Sequence, residues 1–101
     1  MMAGLAMCCC TIAYGADIQA GKTVAARCAV CHGANGIATA PDAPNLAGQN
    51  AMYLAKALRD FQSGARENEV MSVMAKGLSD ADIENLAAYF QDIKIKVEGQ
   101  Q

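Results

Sequence analysis

Tryptophan is absent, and the chain has only three tyrosines, two phenylalanines, two prolines and one histidine in 101 residues. Each scarcity excludes something. A single histidine, His32, leaves no second Cys/His pair, so a structural zinc site with four ligands has no ligand set. β-Branched residues are few and alanines many, a balance that favours helix over strand. Charge of one sign is also lacking: the formal net charge is −2, which argues against a nucleic-acid partner. The longest apolar run, residues 6–13, is too short to span a bilayer. No internal repeat or low-complexity tract interrupts the chain. Its length sets a ceiling of one domain, near the size at which apolar burial alone gives marginal stability.

What is present is a dense motif, Cys28-Ala29-Val30-Cys31-His32. C-x-x-C-H is the attachment pattern of a c-type haem. Two thiols separated by two residues on one turn of helix match two vinyl groups on one porphyrin edge. A histidine directly after the second cysteine then reaches the iron from the proximal face. A C-x-x-C pair also serves as a thioredoxin-like redox couple, but that use needs a βαβ context that the sequence does not display. A buried porphyrin would supply core that so short a chain lacks.

Along the chain, residues 1–15 read as a secretory signal. They have an apolar stretch followed by the small-x-small pattern Ala13-Tyr14-Gly15, with cleavage expected after Gly15 or Ala16. No Lys or Arg precedes the apolar stretch. A buried N-terminal helix and a lipoprotein signal at Leu5-Ala6-Met7-Cys8 are the alternatives. Cleavage would remove Cys8, Cys9 and Cys10 and leave only the two motif cysteines in a domain of residues 16–101. Export and haem attachment support each other, because haem joins c-type chains outside the cytoplasm.

Periodicity predicts helices over residues 17–27, 50–63 and 79–93, and a short methionine-rich segment over 66–77. Asp17, Asn50 and Ser79 are expected N-caps, and Gly64 a stop. Residues 33–50 carry turn chemistry throughout. A loop this long in a small domain is expected to wrap something. In it, the carbonyl of Pro44 can accept from the ring nitrogen of His32 that the iron does not use, fixing the tautomer. Met71 and Met74 stand one helical turn apart. With no second histidine, either thioether could be the sixth ligand of the iron.

The chain resembles the class I c-type cytochromes, in particular the small bacterial mono-haem forms and one half of the bacterial di-haem cytochromes c. The resemblance rests on Cys28–Gly33, on Pro44-Asn45-Leu46-Ala47-Gly48-Gln49 followed by Tyr53-Leu54, on Gly64-x-Arg66 with Met71-x-x-Met74, on Leu78-Ser79-Asp80, and on Leu86-Ala87-Ala88-Tyr89-Phe90. It implies an all-α cytochrome c fold of three to five helices around one covalent haem c, with the terminal helix crossing the first where Gly21 meets Leu86 and Tyr89. It selects Met71 as the axial ligand opposite His32, with Met74 packing beside it, and makes Tyr53 and Arg66 candidates near the propionates.

The function expected is a periplasmic one-electron carrier, not an enzyme. Its partners would be redox proteins met in transient complexes, without stable membrane insertion. A membrane anchor is the lesser alternative. An electron-entry subunit of a larger oxidase or dehydrogenase remains open, as do a peroxidase-like enzyme and a ligand-sensing haem module.

Overall fold

The computed structural model describes Gly4 and residues 15–99; the expected signal segment, with Cys8, Cys9 and Cys10, lies outside the described residues apart from Gly4 and Gly15. Five helices follow in order: α1 (Ile18–Ala25), α2 (Ala29–His32), α3 (Ala51–Ser63), α4 (Met71–Lys76) and α5 (Asp80–Asp92). No strand occurs among the described residues.

The helix starts follow from their capping residues. The side chain of Asp17 accepts from the Ala20 amide, and that of Asn50 from the Tyr53 amide, each at 3.0 Å. Ser79 forms a capping box with Asp82: its Oγ accepts from the Asp82 amide while Oδ2 of Asp82 accepts from the Ser79 amide. Gly64 ends α3 at φ 83°, a left-handed conformation that glycine adopts without a Cβ penalty.

Two boundaries fall short of the periodic pattern. The apolar stripe suggests a first helix through Arg27, but α1 ends at Ala25. The amides of Ala26, Arg27 and Cys28 bond to carbonyls three residues back, tightening the chain into turns that lead directly into the motif. Similarly, α4 starts only at Met71, because residues 66–70 are occupied in a turn in which Asn68 Oδ1 accepts from the amides of Val70 and Met71.

Helix α1 packs on α5, and α3 packs on both α4 and α5. The core shared by α1, α3 and α5 is Ala25, Leu54, Ala55, Ile83, Leu86, Ala87 and Phe90. At the α1–α5 crossing, a Cβ added to Gly21 would lie 2.0 Å from the Asn85 carbonyl oxygen and 2.9 Å from Tyr89 Cβ. The close neighbour beside Tyr89 is thus the backbone of Asn85, whereas Leu86 turns into the core. Asn85 also accepts from the Asp17 amide at 2.8 Å, so one residue holds both the start and the middle of α1.

The core is small. Of the nine buried apolar residues among those described, four are alanines. A 100-residue chain with so alanine-rich an interior gains much from a large apolar cofactor.

Candidate haem site

The motif occupies a single turn. Cys28 is the N-cap residue of α2, and the amides of Cys31 and His32 both bond to its carbonyl. Residues three apart share a helix face, so both thiols leave the turn on the same side. They are free and half-buried. Burial pushes the Cys28 thiol up from its ordinary value, with the Arg27 guanidinium pulling partly back. A thioredoxin-type pair needs a thiolate stabilised well below that value. The raised thiol, and the lack of any strand among the described residues, argue against that use.

His32 is buried, at 7 % exposure, and is the one buried polar or charged residue among those described. Its Nδ1 lies 2.8 Å from the Pro44 carbonyl. A carbonyl only accepts, so Nδ1 carries the proton, and Nε2 presents a free lone pair to a metal. The intervening loop is folded to make this contact. Gly33 turns the chain at φ 80°, where a Cβ would meet the Ile37 carbonyl at 1.9 Å. The amides of Thr39 and Ala40 bond to the Cys31 carbonyl, those of Leu46 and Ala47 bond to the Gly36 carbonyl, and Thr39 Oγ1 donates to the Val30 carbonyl. What residues 33–50 wrap, in hydrogen-bond terms, is the motif itself.

Other candidates are placed less tightly. Met71 is half-buried at the first position of α4. Met74, expected to pack beside it, is 38 % exposed. Tyr53 is exposed on α3. Arg66 lays its guanidinium 4.7 Å above the centre of the Phe61 ring, so its contact here is a cation–π pair rather than a motif residue. Two residues without a place in the sequence-based site bind the methionine segment: Asn68 at its start, and Gln62, whose Nε2 donates to the carbonyls of Ala75 and Leu78. The Asn-x-Val-Met turn around Asn68 is a local pattern that the sequence displays; the Gln62 contacts span 13 and 16 positions and leave no such trace.

The residues fit a covalent haem. Two free thiols stand on one face of a turn, next to a buried histidine whose second nitrogen is already committed. No group of three or more His, Cys, Asp and Glu side chains among the described residues is arranged to hold a bare metal ion.

Comparison with known proteins agrees with this geometry. The family model described as Cytochrome c matches residues 18–94. The chain is 42 % identical over 77 residues to cytochrome c-554(548) of Halomonas halodenitrificans, covering 73 % of this chain and 93 % of that protein. It is 51 % identical over 80 residues to the thiosulfate dehydrogenase electron acceptor of Thiomonas intermedia, covering 78 % of this chain and 37 % of that one. The solved structure of reduced recombinant cytochrome c4 from Pseudomonas stutzeri superposes with a TM-score of 0.73 at 39 % identity, over 79 % of this chain and 47 % of that one. The chain thus spans about half or less of the length of the cytochrome c4 and electron-acceptor proteins it matches. It belongs to the cytochrome c family, with the fold and the covalently bound haem c of that family, and its Cys28-x-x-Cys31-His32 fits the C-x-x-C-H motif.

Proposed function

We propose that this chain is an exported, single-haem, one-electron carrier of the periplasm. The observation that carries the reading is the buried His32, with Nδ1 held by the Pro44 carbonyl and Nε2 left for iron. In this reading Cys28 and Cys31 would hold the haem through two thioethers, and His32 and Met71 would bind its iron. When bound, haem supplies an iron centre that gains and loses one electron. The chain's residues set how easily it does so. The Pro44 carbonyl fixes the His32 tautomer and raises its basicity. The Met71 sulfur, a soft neutral donor, favours the lower charge state and lifts the potential. Tyr53 and Arg66 serve the propionate side.

The chain has no substrate chemistry of its own. An enzyme of this kind needs an open iron position and a distal group to handle protons, and the chain holds no second histidine for that task. The loop after the motif is mostly small and uncharged, which suits brief docking of redox proteins over a small area. The identity with a thiosulfate dehydrogenase electron acceptor supports a second reading, service as the electron-receiving partner of a dehydrogenase. No helix among the described residues is long and apolar enough to cross a membrane.

Residues 1–15 are proposed to leave on export. The intact mass of the exported protein tests this together with the cofactor: it should equal a chain starting at Ala16 or Asp17 plus one haem, with no free thiol. A mass retaining Cys8 to Cys10, a diacylglycerol at Cys8, or a haem lost on denaturation would overturn the assignment. A redox titration of the same sample should fit a single one-electron step.

A further inference from the structure

Helix α4 has six residues, far too few to persist in water without support. Val70 provides no side-chain cap. Support comes from outside the helix. At the N-terminal end, Asn68 Oδ1 accepts from the Val70 and Met71 amides at 3.0 Å, and Ser72 Oγ accepts from the Asn68 amide. At the other end the chain closes its own last turn, the Leu78 amide bonding to the Ala75 carbonyl at 3.1 Å, but nothing within the segment ties it to the rest of the fold. There Gln62, half-buried on α3, directs its amide nitrogen at two carbonyls: that of Ala75 in the last turn at 2.8 Å, and that of Leu78 just past the helix at 2.9 Å. The –NH2 group has two protons, so one goes to each oxygen. Ala75 is fully buried beneath this contact.

We propose that Gln62 is a positioning residue for the axial methionine: by tying Ala75 and Leu78 to α3 it keeps α4 closed and holds the Met71 sulfur on the iron. The inference rests on the reading of Met71 as ligand. It assigns to Gln62 control over how often that ligand lets go. Asn68 anchors one end of a short lever and Gln62 the other. Loss of the Gln62 donors frees the C-terminal end, and α4 swings about its Asn68 end.

The test is the rate at which cyanide displaces the methionine in the oxidised holoprotein, followed by loss of the near-infrared sulfur-to-iron band. Gln62→Glu is nearly isosteric but at neutral pH only accepts, so it faces two carbonyls with no donor. It should bind cyanide roughly tenfold faster than the parent, the effect of one or two lost hydrogen bonds on an opening equilibrium. Gln62→Lys restores donors and should return the rate to within about twofold of the parent. Gln62→Leu repeats the donor loss without charge, should Gln62→Glu fail to fold. A parent-like rate in both donor-less variants, or a Lys variant as fast as they are, would overturn the proposal. Failure of the Met71 reading shows separately, as a near-infrared band that survives Met71→Ala.

Discussion

Met71→Ala abolishes the near-infrared sulfur-to-iron band of the oxidised protein and lowers its potential, whereas Met74→Ala leaves both nearly unchanged. The expectation follows from donor chemistry. A thioether stabilises the reduced iron relative to the oxidised one, and its replacement by water or a nitrogen donor removes that preference. The fall should be on the order of 0.1 V or more, within the ~0.8 V range that axial ligands command. Met71 begins α4, where its own amide is fixed by Asn68 Oδ1. Met74, one turn on, is 38 % exposed, so its truncation removes little packing. A buried methionine would cost about 2–5 kcal/mol on truncation to alanine; at its observed exposure Met74 should fall below that range. Loss of the band in Met74→Ala, with its retention in Met71→Ala, would exchange the two roles.

Gly21→Ala should unfold at a markedly lower temperature than the parent. Helix propensity alone points the other way: alanine in place of an interior glycine gains about 1 kcal/mol. Packing decides the sign. The new Cβ would lie 2.0 Å from the Asn85 carbonyl oxygen and 2.9 Å from Tyr89 Cβ. The first of these is backbone, which yields only if α5 moves as a body. Moving α5 away from α1 disturbs Ile83, Leu86, Ala87 and Phe90, all of which lie in the core. Overpacking of this sort costs about 1–3 kcal/mol, and at a rigid backbone contact the upper end applies, leaving a net loss of about 2 kcal/mol. For a domain of this size that is a drop of roughly 8–16 °C in Tm. Scanning calorimetry of the holoprotein reads it. A Tm at or above the parent value would show that the helices separate at little cost.

These two residues also mark what the sequence discloses and what it hides. The helices were legible because their signals are local. Asn50 and Gly64 bracket α3, and Ser79 with Asp82 opens α5, each acting within four residues of where it stands. The hydrogen bond from His32 to Pro44 was legible for a different reason. Its two ends lie 12 residues apart, but a metal-bound imidazole needs an acceptor, and a proline carbonyl in a wrapping loop can supply one. Gly21 stood out as a glycine inside a helix, and the resemblance set it against Tyr89, yet its nearest neighbour is the carbonyl of Asn85, 64 positions on. Periodicity marks the core-facing side of α5 and not the backbone atom that touches α1.

Arg66 shows the limit most plainly. Nothing in its local sequence announces that its guanidinium lies over the Phe61 ring. That contact depends on how Gly64 reverses the chain after α3, a tertiary detail with no periodic trace. Gln62 is similar. Its spacing marks only a polar position on α3, and its partners are backbone carbonyls at the far end of α4. The end of α1 at Ala25 was hidden as well, since apolar spacing continues while the amides switch to the tighter i−3 pattern.

Ligand access at the iron tests the central claim, a closed carrier rather than an enzyme, most directly. The native protein, reduced and exposed to carbon monoxide at neutral pH and then assayed oxidised with peroxide, is expected to bind the gas poorly and to turn peroxide over negligibly. The same sample should still exchange electrons rapidly with a small mediator. Rapid carbon monoxide binding together with substantial peroxide turnover by the methionine-intact protein would contradict the account and place the chain among haem enzymes.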